Sequence, residues 1–142
     1  MTKPTREDAD ILLRLAELSA SHNLPAAAAF IWSDDFPADF ARFRQKFPRT
    51  KRSEEEGLLR RYLGYFETAG TLYRNGLFSG DLMFDWMAVT TAWDRVKGYA
   101  LGVREEAGDP RLFENFEYAA EQARAWQPTR DVALGALRTR RG

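Results

Sequence analysis

Apolar residues in this chain return every three or four positions, segment after segment, and almost never alternate. Ile11, Leu12, Leu15 and Leu18 open the pattern; Leu59, Tyr62, Leu63, Phe66, Ala69, Gly70 and Tyr73 continue it; Leu112, Phe113, Phe116, Ala119, Ala120, Ala123 and Trp126 close it. A period near 3.6 gathers such residues on one face of a helix, whereas a half-buried strand needs a period of two. No Asn-Gly turn stands between alternating segments, and β-branched runs are few. The expected fold class is therefore all-α: a single-domain bundle of five to six helices around a central antiparallel helical hairpin.

Punctuation residues give the expected boundaries. Thr5 is placed to cap a first helix from about Arg6 to Ser21, with Glu7 and Asp8 at the positive end of its dipole. A short alanine-rich helix follows Pro25. Phe36, Phe40, Phe43 and Phe47 form an apolar stripe on a helix that begins near Pro37 and is closed by Pro48. The segment RTKRSEEEG, Arg49 to Gly57, reads as a linker ending in a capping box, with Ser53 and Glu56 each accepting the other's backbone N–H. Asn75-Gly76 then stops the next helix, since glycine takes positive φ without a Cβ clash. After Ser79-Gly80, one helix is expected to carry Leu82, Trp86, Val89, Trp93 and Val96 as its buried seam. Gly98 and Gly102 either admit a close neighbour or mark a break, and Gly108 ends the element. Asp109 and Pro110 supply a cap and a first turn for the last long helix. One domain, 1–142, results: variable N-terminal helices over 1–48, core helices over 53–126, and a tail, 129–142, with room for a further short helix before loose last residues.

A chain of 142 residues buries about two thirds of its unfolded surface, enough for a true core. Its 21 basic and 21 acidic groups cancel, so no global field draws it to nucleic acid or anionic membrane. The absence of cysteine excludes disulfides, thiolate metal sites and cysteine nucleophiles. The polar start MTKPTREDAD contains no signal-peptide apolar region, and the longest apolar run, Leu24 to Trp32, is far short of the ~20 residues of a membrane span. A cytoplasmic protein without a membrane span is the expectation.

Few side chains point to chemistry. Asp81 and Asp85 share a helix face, but aspartate in a first turn is favoured by the dipole alone. Glu114 and Glu117 supply one Glu-x-x-Glu pair of the kind that holds magnesium in helical nucleotide-cleaving enzymes; SEEEGLLRRYLGYFE does not supply the second. One histidine, His22, cannot build a zinc site of the usual kinds, and no nucleophile elbow or phosphate loop is present. No cofactor, metal or catalytic residue is therefore assigned.

The distribution of charge is more telling. Residues 42–61 hold eight basic and three acidic groups, and 124–142 hold five and one, whereas 1–41 hold three and seven and 62–123 five and ten. Arg42, Arg44, Lys46, Arg49, Lys51 and Arg52, interleaved with Phe43 and Phe47, suit a nucleic-acid backbone. The competing reading turns the phenylalanines to the core and leaves the charges solvated or paired with the acidic middle of the chain. Trp86 and Trp93, on the seam, are expected in the core, and Trp32, beside Ser33-Asp34-Asp35, is expected on a contact surface.

The segments YFETAGTLYRNGLFSGDLMFDW and VREEAGDPRLFENFEYAAEQA resemble a bacterial family of small helical proteins to which no activity is assigned. The shared features are a helix ending in an arginine-asparagine-glycine turn, a helix with a central tryptophan, and an arginine before a final FENFE-like helix. The resemblance covers about 53–126 and implies a fold but no chemistry. Many members carry an N-terminal membrane span that this chain lacks, so the resemblance implies no membrane proximity here. In this pattern Arg104 is placed to bridge helix ends to Asp81 or Asp85, forming a polar cluster. The functional expectation is a non-enzymatic interaction or regulatory module with a protein partner or a second copy of itself. The alternatives are a nucleic-acid-binding protein using the 42–52 block and a small metal-dependent enzyme acting on a phosphorylated substrate.

Overall fold

The structure, a computed structural model, describes residues 3–126. Six helices are α1 (Arg6–Ser21), α2 (Leu24–Ile31), α3 (Phe40–Lys46), α4 (Glu54–Arg74), α5 (Gly80–Trp86) and α6 (Val89–Ala107). A seventh, α7, covers 114–126, and no strand occurs among the described residues. The expectation for the tail 129–142 lies outside the described residues.

The fold is all-α, but seven helices replace the expected five or six because the seam helix is broken. Met87 is extended (φ −105°, ψ 131°) and separates α5 from α6. Gly80, Met83, Phe84 and Met87 are consequently the buried positions there, and Trp86, expected in the core, is 39% exposed. Trp93 is buried as expected.

α2 lies along α4; α1 meets α2 and α5; α3 packs on α6; α4 also touches α5 and α6. Around these contacts Leu15, Ile31, Phe43, Leu59, Leu63, Met83, Val96, Tyr99 and Phe116 are almost wholly buried. α7 docks on α4 and α6 through Phe116, which stacks on Phe66 (centroids 4.7 Å apart) and meets Trp93 edge-on at 5.1 Å.

Two close approaches explain why glycine stands on these faces. A Cβ at Gly70 would lie 2.5 Å from the carbonyl oxygen of Asn115, so α4 and α7 touch backbone to backbone. On α6, a Cβ at Gly98 would strike the Ala38 carbonyl and one at Gly102 the ring of Phe40. The Gly98/Gly102 pair therefore admits a neighbour, the segment leading into α3, and breaks nothing.

The caps differ instructively from expectation. Thr5 and Asp8 form a full capping box on α1, and the second Asp8 oxygen accepts the Ser79 N–H at 2.8 Å, joining α1 to the start of α5. At α4 only half the expected box exists: Ser53 Oγ accepts the Glu56 N–H, while the Glu56 carboxylate turns to Arg44 and Tyr99. The last helix does not begin at Asp109-Pro110. Asp109 closes a local turn by accepting the Arg111 N–H, Phe113 takes φ +58°, and the helix starts at 114.

Candidate functional site

Arg44 extends from α3 between two carboxylates. Its Nη1 and Nη2 donate to Glu56 of α4 at 2.9 and 2.8 Å, and its Nε and Nη2 donate to Glu106 of α6 at 2.7 and 2.9 Å. Nη1 also donates to the carbonyl of Phe47, and the guanidinium lies 5.5 Å from the Phe40 ring centroid. Tyr99, almost fully buried, donates its hydroxyl to Glu56 at 2.5 Å. Burial alone would raise the Glu56 carboxyl, but the bonds from Arg44 and Tyr99 outweigh it and hold the group below the ordinary range. Arg44 does the same to Glu106. Burial, and then the bond to Glu56, pushes the Tyr99 phenol far up. With the Arg44, Glu56 and Glu106 side chains only 13–20% exposed, this is a satisfied ionic clasp joining three helices. Every strong hydrogen-bonding direction of Arg44 is used, so it offers nothing to an outside ligand.

That geometry divides the expected basic block. Arg44 belongs to the interior. Phe43 is fully buried and Phe47 half-buried against Phe30 and Phe43, so neither ring is free for a base. Arg42, Lys46, Arg49, Lys51 and Arg52 stay exposed.

The expected polar cluster is also redistributed. Arg104 does not turn to Asp81: its Nε donates to the Leu112 carbonyl at 2.6 Å, its Nη1 to Glu117 at 3.0 Å, and the guanidinium lies 5.8 Å from the Trp93 ring centroid. It therefore braces the turn into α7. Asp81 accepts the Trp126 indole N–H at 2.9 Å, tying α5 to α7. Asp85, exposed on the outside of α5, is engaged elsewhere. Glu114 pairs with Arg111, so the Glu114/Glu117 pair serves two separate arginines. Among the described residues no three acidic or histidine side chains converge as a metal-holding group.

Several organising residues have no counterpart in the sequence reading. Glu67 accepts the backbone N–H of both Asn115 and Phe116 at 2.9 Å, so a side chain of α4 caps α7 across space. Arg95 donates to the Ile31 and Ser33 carbonyls at 2.8 and 2.9 Å, closing the C-terminus of α2 from α6. The signal common to them is register: Glu67 is four residues after Leu63 and three before Gly70, and Arg95 is four before Tyr99.

One surface feature remains after these interior roles are assigned. A shallow groove of about 370 Å³ is lined by Leu24, Pro25, Tyr62, Tyr65, Phe66 and Trp86, together with Met87, Ala88 and Ser19. Tyr65 is tied down by donating to the Leu15 carbonyl at 2.6 Å, and burial pushes its phenol up to about 12. Tyr62, on the groove's wall, lies beside the Trp32 side chain, and Trp32, outside the groove's lining, is 49% exposed as expected. Arg95 lies 5.7 Å from the Trp32 ring centroid and holds it at the C-terminus of α2. A second cleft, of about 500 Å³, opens where α1 and α5 begin. There Asp8 already occupies the place an anion would take, and the Thr5 and Ser79 N–H groups that it accepts hold its carboxyl below the ordinary range.

A family model described as a domain of unknown function, DUF4760, matches residues 4–126. The chain belongs to that family. The DUF4760 match begins within the lead into α1, so it takes in α1 to α3 as well as the part from Ser53 onward that carries the sequence resemblance. No curated protein and no solved structure matches the chain. No helix among the described residues is long and apolar enough to cross a membrane.

Proposed function

We propose that this DUF4760 domain is a non-enzymatic interaction or regulatory module that contacts a protein partner, including a second copy of itself, through the aromatic groove. The supporting observation is the half-exposed Trp86 at a groove whose wall is set by the buried rings of Tyr62, Tyr65 and Phe66. Tryptophan and tyrosine on a fixed backbone contribute much contact area at little conformational cost, and such residues dominate the energetics of interfaces. The groove alone is smaller than the roughly 800 Å² per partner of a standard interface. A stable partner would therefore extend past Tyr62 to Trp32. The charged groups best placed for chemistry, Glu56, Glu106 and Glu117, are each held by an arginine, which favours binding over catalysis.

The test places a photo-crosslinking residue at position 86, with the same residue at exposed Glu121 as control, in cells producing the full chain. Discrete adducts at 86 that are absent at 121, including a species of twice the chain mass, are expected. Equal adduct patterns at the two positions, or none at 86, would refute the reading.

A further inference from the structure

The clasp around Arg44 has a consequence for the surface outside it. Residues 42–61 hold eight basic and three acidic groups, a net of +5 in a chain whose total is zero. Arg44 uses Glu56 and Glu106 for interior bonding, which leaves Glu54 and Glu55 as the exposed acids of this segment. Arg42 and Lys46, one helical turn apart on α3, and Arg49, Lys51 and Arg52 in the following turn are exposed and enter no ion pair among the described residues. These five cations make a basic ridge along exposed α3 and the turn after it, with the exposed acids Glu54 and Glu55 beginning α4 beyond them.

We propose that this ridge docks the phosphodiester backbone of nucleic acid, without reading its sequence. Three features select that partner. Phe43 and Phe47 face inward, the latter under Lys46 Nζ at 5.7 Å, so along the ridge no exposed ring offers the apolar anchor a protein hot spot uses. Stable attachment to a membrane surface takes an inserted apolar group or lipid chain beside a polybasic patch, and the ridge presents neither. Backbone phosphates need only spaced cations, and their neutralisation is driven by counterion release. The buried rings also mean no base stacking, so affinity is expected to be equal across duplex sequences and not enhanced for single strands.

The experiment is fluorescence anisotropy of the full chain with labelled duplex DNA, as a function of salt. Neutralising three to five phosphates predicts about 40-fold to about 500-fold weaker binding between about 50 and about 200 mM salt. The paired change Lys51→Gln with Arg52→Gln, in the exposed turn, should flatten the log–log slope by about 1.8. Arg14→Gln on α1 should leave it unchanged, and circular dichroism verifies that each variant is folded. Absence of binding at low salt, or a slope indifferent to the Lys51/Arg52 pair, overturns the proposal. So does stronger binding to phosphatidylglycerol vesicles than to DNA, or displacement of DNA by polyglutamate of equal charge, since either makes another anionic surface the partner. Crosslinking at position 86 reads the groove and not the ridge, so the two proposals fail separately.

Discussion

Arg44 concentrates more of the polar energetics than any other side chain. It bonds both Glu56 and Glu106, and its removal leaves two largely buried carboxylates without their shared cation. Breaking a buried pair by deleting one partner costs about 3–5 kcal/mol, and the residual exposure here reduces that to about 2–3 kcal/mol. Arg44→Met should accordingly lower the unfolding free energy from urea titration by that amount, whereas Arg42→Met, on the solvated face of the same helix, should stay within about 0.5 kcal/mol. The pH dependence should reverse as well. Glu56 and Glu106 have lowered folded-state values, so in acid the unfolded chain binds more protons than the folded one. Their contribution is complete above the unfolded value of about 4.3 and is lost as pH falls through the lower folded values. Asp8 acts in the same direction. In Arg44→Met the two carboxylates instead repel, their folded values rise, and acidification from neutrality should stabilise the variant relative to its own neutral state. Urea titrations at several pH values check the sign: a variant whose stability only falls on acidification would show that the clasp does not control these groups.

At the scale of the element, α4 is the organising helix, and its glycines separate two roles. Gly64 has nothing within 4 Å of a built Cβ, so Gly64→Ala should stabilise by about 0.5–1 kcal/mol through helix propensity. Gly70, on the same helix, faces the Asn115 backbone, and Gly70→Ala must push α7 away at a cost of about 1–3 kcal/mol. Thermal unfolding of the two variants should therefore shift in opposite directions. Glu67→Gln keeps the side-chain shape but weakens the charged cap on α7, and a loss of about 1 kcal/mol is expected from the same measurement. Helices α1 and α4 were legible in the sequence because caps and apolar period agreed there, and α2 was read from its alanine-rich composition after Pro25. The break at Met87 was not, because residues 82 to 96 keep an unbroken helical period and no proline or glycine marks the change of direction. The start of α7 was misplaced for a related reason: Asp109-Pro110 is a good local cap, but the cap that operates is Glu67, remote in sequence. The interior polar residues share one unexploited signal, a charge standing in apolar register. Asp8 is four before Leu12, Arg44 four after Phe40, and Glu67 four after Leu63. Such a residue either points outward or is paired inside, and periodicity alone does not choose between them.

At the scale of the whole molecule, a few charged side chains tie helices together while Arg42, Lys46, Arg49, Lys51 and Arg52 stay on the surface. Asp8 joins α1 to α5, Arg44 joins α3 to α4 and α6, Arg95 joins α6 to α2, and Glu67 joins α4 to α7. Each contact reaches across the chain, so the helices are positioned by polar ties as well as by the common core. A groove held on such a frame is expected to be preformed, and a partner should bind it with little rearrangement. Four tryptophans make this measurable. Trp93 is 5% exposed, whereas Trp86 and Trp32 are 39% and 49% exposed. Single-tryptophan variants retaining Trp86, Trp32 or Trp93, with phenylalanine at the other three positions, should rank in that structural order for acrylamide quenching: Trp32 and Trp86 readily quenched, Trp93 protected. If the groove is the contact surface between copies, quenching of Trp86 should fall as protein concentration rises and recover on dilution, with Trp93 unchanged. Trp32 should follow Trp86 only if the partner extends past Tyr62. Protection of Trp32 without Trp86 would move the interface to the C-terminus of α2, and constant quenching of both across the concentration series would exclude self-association through this groove and leave a different protein as its partner.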